Sequence, residues 1–240
     1  MDLQIFGGGG AGSGKKSGGG GNEQETYVRG VPQSQIDQLR GTRGHLGEHK
    51  LTPDVIKEDY AKVGIKISQS EAEQIHDALH DFTDLGYSYM RDAYRKQLAG
   101  KSLSSFEKED LFNYKMCMEY LKIAPTYQPT LGQFYLYRGI DDSNKQYLAK
   151  MRKLKPGDKW DVDKMPTSFS TNITTARKFA GFNKGIIISM PMTKLKNSAS
   201  IKGLSANFGE AEVLVGDYKW KVVSTSTLGK HLHIVLEPDV

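Results

Sequence analysis

Hydrophobic positions change their period about midway along the chain. In the first half apolar residues recur every three or four places, the spacing of one helix face. Thr52-Pro53-Asp54 reads as an N-cap, a proline at the first helical position and an early acid. Val55, Ile56 and Tyr60 then share a face, and Gly64 stops the run. Ser70-x-x-Glu73 reads as a capping box, with Ile67 as a nearby staple, ahead of a stripe of Ile75, Leu79, Phe82, Leu85 and Tyr89. Ser104-x-x-Glu107 is a second box, opening a helix striped by Leu111, Tyr114, Met118 and Leu121 and ended by Pro125 and Pro129. In the second half the period shortens. The runs 133–138, 185–190, 211–215, 218–223 and 231–236 alternate or are β-branched and read as strands. One short helix, 174–180, interrupts them. Helices first and strands second predict an α+β fold with a largely antiparallel sheet system.

Composition adds a boundary. Ten of the 26 glycines fall between Gly7 and Gly21. Such a stretch buries too little apolar surface to offset its ordering entropy, so 1–25 is expected to be a flexible tail. The remainder, 26–240, is expected to be a single domain with a helical half over 26–125 and a strand-rich half over 126–240. The tail spells GxxxxGK from Gly9 to Lys15, but Lys16 stands where a phosphate-binding loop needs Ser or Thr, and no helix pattern follows.

The chain has 240 residues, a net charge of +5 and mean hydropathy of −0.53, with no apolar run near the ~18 residues of a membrane span. The start, Met1 to Phe6, has no basic n-region and too short an apolar run for a secretory signal. Cys117 is the sole cysteine, which excludes an intrachain disulfide and a multi-cysteine metal site. It reads as a core thiol. His76 and His80 share a helix face, but no third ligand or metalloprotease glutamate accompanies them. His231 and His233 read as surface residues, and Trp160 and Trp220 as packing aromatics.

Three polar elements stand out in the strand-rich half. Arg138 lies between Tyr137 and Gly139; a guanidinium suits bidentate phosphate binding and glycine lets a ligand approach the backbone, while a structural ion pair is the plainer reading. Ser168-Phe169-Ser170-Thr171-Asn172 lies at a strand end, with Asn172 placed to cap the next helix. Glu210-Ala211-Glu212 opens a strand; in an extended chain both carboxylates point to one face, as an active pair or as a charged edge.

Taken together and in order, Arg138, Ser170-Thr171 and Glu210-x-Glu212 resemble the signature of arginine-specific mono-ADP-ribosyltransferases of the bacterial-toxin and phage type. The words YLYRGI, TSFSTNITTARKFAG and NFGEAEVLV resemble that family's strand, helix and catalytic-loop contexts over about 130–238. Asn172 replaces the third residue of its Ser-Thr-Ser, and Phe208 stands one residue short of the usual aromatic position. The opening MDLQIFGGGG resembles those of some phage head-gene products. The resemblance implies an ADP-ribosyltransferase-like fold, with N-terminal helices packed on two antiparallel-rich sheets around an NAD cleft. It implies transfer of ADP-ribose from NAD to an arginine of a host target protein, with release of nicotinamide and no metal, nucleic acid or membrane partner. It places Arg138 on the diphosphate, the Gly139 backbone on the nicotinamide amide, Ser170 in a hydrogen bond that fixes the Glu212 rotamer, and Ser170 and Thr171 among the NAD-binding residues. Glu212 is assigned to the ribose and the developing cation, Glu210 to the acceptor, and Phe182 and Asn183 to the nicotinamide side. It implies a soluble protein acting in the host-cell cytoplasm, carried in a phage particle or secreted without a classical signal. An NAD glycohydrolase and an inactive phage structural domain are the alternatives. Arg29, Arg40 and Arg43, close behind the tail, are the nearest self-acceptors, with no pattern to support that use.

Overall fold

A computed structural model describes residues 26–43, 50–84, 86–128, 135–141, 145–160, 167–182, 184–192, 195, 197–201, 203–204, 211–216 and 219–239. The glycine-rich stretch 1–25 lies outside them.

The N-terminal part starts with a two-stranded hairpin, β1 (Tyr27–Val28) and β2 (Val31–Pro32), then α1 (Gln33–Leu39) and β3 (Thr42–Arg43). The hairpin turns through Arg29 and Gly30, both at positive φ, 49° and 83°. That is the geometry of a type I′ turn, and it is unusual for arginine. Contacts hold Arg29 there: Nε donates to buried Glu119 at 2.5 Å and Nη1 to Glu71 at 3.1 Å.

The helices follow as α2 (Pro53–Lys62), α3 (Gln69–Thr83), α4 (Gly86–Leu98) and α5 (Ser105–Ile123). Thr52 caps α2 through Val55 N, and Ser104 with Glu107 forms the expected box on α5. The box on α3 sits two residues earlier than expected. Ser68 Oγ accepts from Glu71 N at 3.1 Å while Glu71 Oε2 accepts from Ser68 N at 2.8 Å. Two S-x-x-E spellings overlap here, and the helix starts at the first because that serine makes both reciprocal bonds. The long stripe expected through Tyr89 is broken: α3 ends at Thr83, α4 starts at Gly86, and Tyr89 points to solvent. A Cβ on Gly86 would meet Asp81 O at 2.6 Å, so the sharp α3–α4 corner requires glycine there. Leu85 lies outside the described residues.

Two adjacent pairs cross between α2 and α5. Tyr120 Oη donates to Asp59 and Tyr60 Oη to Glu119, each at 2.9 Å. Arg43 of β3 pairs with Asp59, and Arg29 of the hairpin turn with Glu119, so both buried carboxylates are matched by arginines. Arg40 is buried and bonds Asn197 Oδ1 at 3.1 Å. All three arginines considered as self-acceptors are therefore tied into the fold. A short β4 (Thr126–Tyr127) then pairs in parallel with β3.

The strand-rich part comprises β5 (Tyr135–Ile140), α6 (Lys145–Met151), β6 (Lys159–Trp160), β7 (Thr167–Ser170), α7 (Ile173–Phe179) and β8 (Ile186–Pro191). It continues with β9 (Ser198–Ser200), β10 (Glu212–Val215), β11 (Trp220–Leu228) and β12 (His231–Pro238). Helix α6 and the short strands β6 and β9 are not among the elements expected from the sequence. The order across the sheet is β6-β11-β12-β8-β5-β7-β10-β9, antiparallel except between β8 and β12. Trp160 and Trp220 pair across β6 and β11, and both are buried.

The fold is α+β, with the two expected sheets present as two lobes of one hydrogen-bonded ladder. Among the described residues they join at a single register pair, Tyr137 of β5 opposite Ser170 of β7. Leu136, Ile188, Met190, Ile234 and Leu236 of one lobe meet Phe169, Val213 and Val215 of the other in a shared core. The opposite face of the β7–β10–β9 lobe, with Ala199 and Leu214, packs on α2, α3 and α5. Helix α7 packs on the outer face of β5 and β8 through Ala176, Ala180 and Ile187. The last strand departs from expectation at His231, which is buried. Leu232 N donates to Gly185 O at 3.2 Å, which seats the start of β12 against the α7–β8 connection. His233 is half-buried, its Nε2 within 2.8 Å of Ser189 Oγ.

Candidate active site

The junction of the two lobes is where the polar signature converges. Strand β7 ends on Ser170, whose Oγ accepts from Asn172 N at 2.9 Å. Asn172 Oδ1 in turn accepts from Thr174 N at 2.8 Å and caps α7, so asparagine serves the turn that leaves the strand. Across the ladder Glu212 stands opposite Ser170, and both are 5% exposed. Thr171 N donates to Ala211 O at 3.2 Å, carrying the β7–β10 pairing one step past that pair. Arg138, on β5, donates from Nη1 to Ser168 O at 2.7 Å, which aims its guanidinium across the junction toward β7.

Two expectations about local geometry change. Ala211 has φ of 48°, so the extended chain starts at Glu212 and does not run back through Ala211. Strand alternation therefore does not set a common face for Glu210 and Glu212. The space left by Gly139 serves packing: a Cβ there would lie 1.8 Å from Ala176 O and 2.6 Å from Ala180 N. The glycine admits the backbone of α7 against β5, and the same residue lines the cleft.

A cleft of about 490 Å³ opens over the junction, within the range of small-molecule sites. Its floor includes Tyr137, Arg138, Gly139, Ser170 and Glu212. Thr175, Ala176 and Phe179 of α7 form one wall. Phe82, Thr83, Asp84, Tyr87 and Arg91, from the α3–α4 corner, form the other. The sequence reading misses that helical wall entirely; its only trace is Gly86, which breaks the hydrophobic stripe where the corner turns. Burial, and then the neighbouring Tyr135, push the Tyr137 phenol above its ordinary pKa, so it stays neutral across the physiological range.

Of the other expected site residues, Thr171 is half-buried and outside the cleft lining. Phe182 is 92% exposed, with the Lys230 ammonium 5.7 Å from its ring centroid. Glu210, Asn183 and Phe208 lie outside the described residues. Among the described residues no group of three His, Cys, Asp or Glu side chains is arranged to hold a metal; His76 and His80 each sit beside an aspartate. Cys117 is fully buried, and burial pushes its thiol upward, away from the reactive thiolate.

A cationic anchor, a buried carboxylate beside a hydroxyl, aromatic walls and an open cavity suit a dinucleotide. Solved structures share this architecture. Vis toxin, an ADP-ribosyltransferase from Vibrio splendidus, superposes with a TM-score of 0.53 at 19% identity, over 91% of this chain and 89% of that one. The Clostridium limosum C3 exoenzyme gives 0.52 at 17% identity, over 80% and 97%. An ADP-ribosyltransferase from Clostridium botulinum gives 0.51 at 13% identity, over 78% and 92%. The chain has the ADP-ribosyltransferase fold. No protein-family model and no curated protein sequence matches it. At these identities the likeness is one of backbone, and the chemistry is argued from the residues of the ADP-ribosyltransferase-like cleft itself.

Proposed function

We propose that the protein transfers ADP-ribose from NAD to an arginine of a target protein and releases nicotinamide. The observation that carries this reading is the convergence of Arg138, Ser170 and Glu212 on one cleft, although they are far apart in sequence. Arg138 grips the diphosphate and the Gly139 backbone holds the nicotinamide amide. Phe182 and Asn183, in the α7–β8 connection, cover the nicotinamide side. Thr171 acts indirectly, keeping β10 in register through its amide.

The hard step is breakage of the C–N bond between ribose C1′ and nicotinamide. Nicotinamide leaves neutral with the bonding electrons, and the positive charge moves to the ribosyl group. Glu212, held beside that carbon and bonded to the ribose 2′-hydroxyl, stabilises charge that develops only in the transition state. Ser170 can donate its single O–H to Glu212 while accepting from Asn172 N, so it fixes the carboxylate's rotamer. A guanidino nitrogen of the acceptor then bonds to C1′. The acceptor guanidinium has a pKa above 12, and removing its proton in advance at pH 7 would cost roughly 7 kcal/mol or more. Glu210 takes that proton as the new C–N bond forms.

The working unit is residues 26–240 as one domain, acting on a host protein in the host cytoplasm. The test is incubation of the full chain with labelled NAD in the presence of host lysate or of agmatine, a small guanidine. Vis toxin has been crystallised with that compound. Labelled protein and labelled agmatine are expected. Free ADP-ribose alone would identify a glycohydrolase, and no turnover would identify a non-catalytic domain.

A further inference from the structure

Glu212, Ser170 and Tyr137 are consecutive cross-strand partners on β10, β7 and β5, so their side chains share one sheet face. The row continues to Ser189 of β8, which also pairs with Tyr137 and bonds His233. Tyr135, two residues before Tyr137, points to the same face. Its ring centroid is 6.4 Å from that of Tyr137, at an interplanar angle of 41°. Exposure falls stepwise along this line: Tyr135 is 40% exposed, Tyr137 half-buried, and Ser170 and Glu212 5% exposed. The two lobes thus present a ramp that descends from solvent over two aromatic rings to a buried carboxylate. At about 4.8 Å per strand, Tyr137 lies roughly 10 Å from Glu212 between Cα atoms.

We propose that Tyr135 and Tyr137 form the acceptor entry of the site and select a guanidinium over an ammonium group. This rests on the NAD–arginine reading above. The ring faces carry the negative lobe of the aromatic quadrupole and attract a cation within about 6 Å. A planar, weakly hydrated guanidinium stacks on such faces better than a compact, strongly hydrated ammonium does. Tyr137 remains a neutral phenol, so its ring supplies this attraction without a competing ion. Tyr135 meets the acceptor first, over its exposed face, and Tyr137 passes it to the carboxylate end of the row. Ser189 and His233 bound the ramp on its far side with hydroxyl and imidazole groups, leaving the aromatic pair as its cation-attracting section.

The test measures KM for agmatine and KM for NAD in the full-length wild type and in Tyr135→Leu, Tyr135→Lys and Tyr135→Phe. The ratio of agmatine KM to NAD KM is expected to rise about two- to fivefold in Tyr135→Leu, the size of an exposed cation–π contact. It is expected to rise further in Tyr135→Lys, and to return toward the wild-type ratio in Tyr135→Phe, which keeps the ring. Because Tyr135 is exposed and outside the cleft lining, either the Leu or the Lys variant suffices if the other fails to fold. An unchanged ratio in the folded variants overturns the proposal, as does a parallel loss of agmatine and NAD affinity. Wild-type protein that hydrolyses NAD but never labels agmatine overturns the arginine reading as well.

Discussion

Glu212 and Ser170 face each other across the β7–β10 ladder, both buried, at the point where the ladder passes to Tyr137 of β5. A carboxylate seldom occupies such a position unless bonded groups hold it there. Replacing Glu212 by Gln keeps the shape and removes the charge. Loss of a preorganised electrostatic partner of the transition state is worth about 10²- to 10³-fold in kcat. Glu212→Gln is therefore expected to lower NAD hydrolysis and transfer together by at least that factor, with Ser170→Ala lowering both by less. Steady-state kinetics on folded variants decide it; equal rates in Glu212→Gln and wild type would remove Glu212 from the chemistry.

Glu210 has a separable task if it takes the acceptor's proton. Glu210→Gln is expected to abolish transfer to agmatine while sparing part of the NAD hydrolysis, because water needs less help than a guanidinium to give up a proton. Measuring both products from the same reaction checks this. A variant losing the two activities in equal proportion would contradict the division of roles.

Gly139 supports the site through packing. An added Cβ would fall 1.8 Å from Ala176 O, against backbone that has no rotamer to move. Gly139→Ala must displace α7, whose residues wall the cleft, and is expected to cost about 3 kcal/mol or more. A urea titration should show a lower midpoint, and NAD hydrolysis should weaken with it. A variant as stable as the wild type would mean that α7 is loosely held.

The Glu107 carboxyl is held at a pKa of about 2 by the Lys96 ammonium and then by the Ser104 amide. A carboxylate depressed in the folded state stabilises fully above its unfolded pKa, near 4.5, and loses that contribution as the pH falls toward 2. The melting temperature of the wild type is expected to exceed that of Glu107→Gln above pH 5, and the gap to close in acid. Glutamine can still cap α5, so the difference isolates the charge. A gap independent of pH would assign the effect to something other than ionisation.

Local chemistry along the chain was enough to place α2, α5 and α7 and the change to strand period, while α1, α6 and the break between α3 and α4 had no local signal strong enough to read. Capping bonds span three residues and periodicity spans two turns, so Thr52, Ser104 and Asn172 could be placed from their neighbours alone. Even there, two overlapping boxes at Ser68 and Ser70 could be separated only by which serine's backbone precedes the helix. Tertiary structure decided the rest. The pairing of Tyr137 with Ser170 and of Ser170 with Glu212 depends on register between strands 33 and 42 residues apart, and register is settled by which faces bury together. The α3–α4 wall joins the cleft because the helical layer packs on the β10 lobe, a contact with no local spelling. Nothing in the sequence around Gly139 tells that a helix packs against it; only the position of Ala176 O above it shows that.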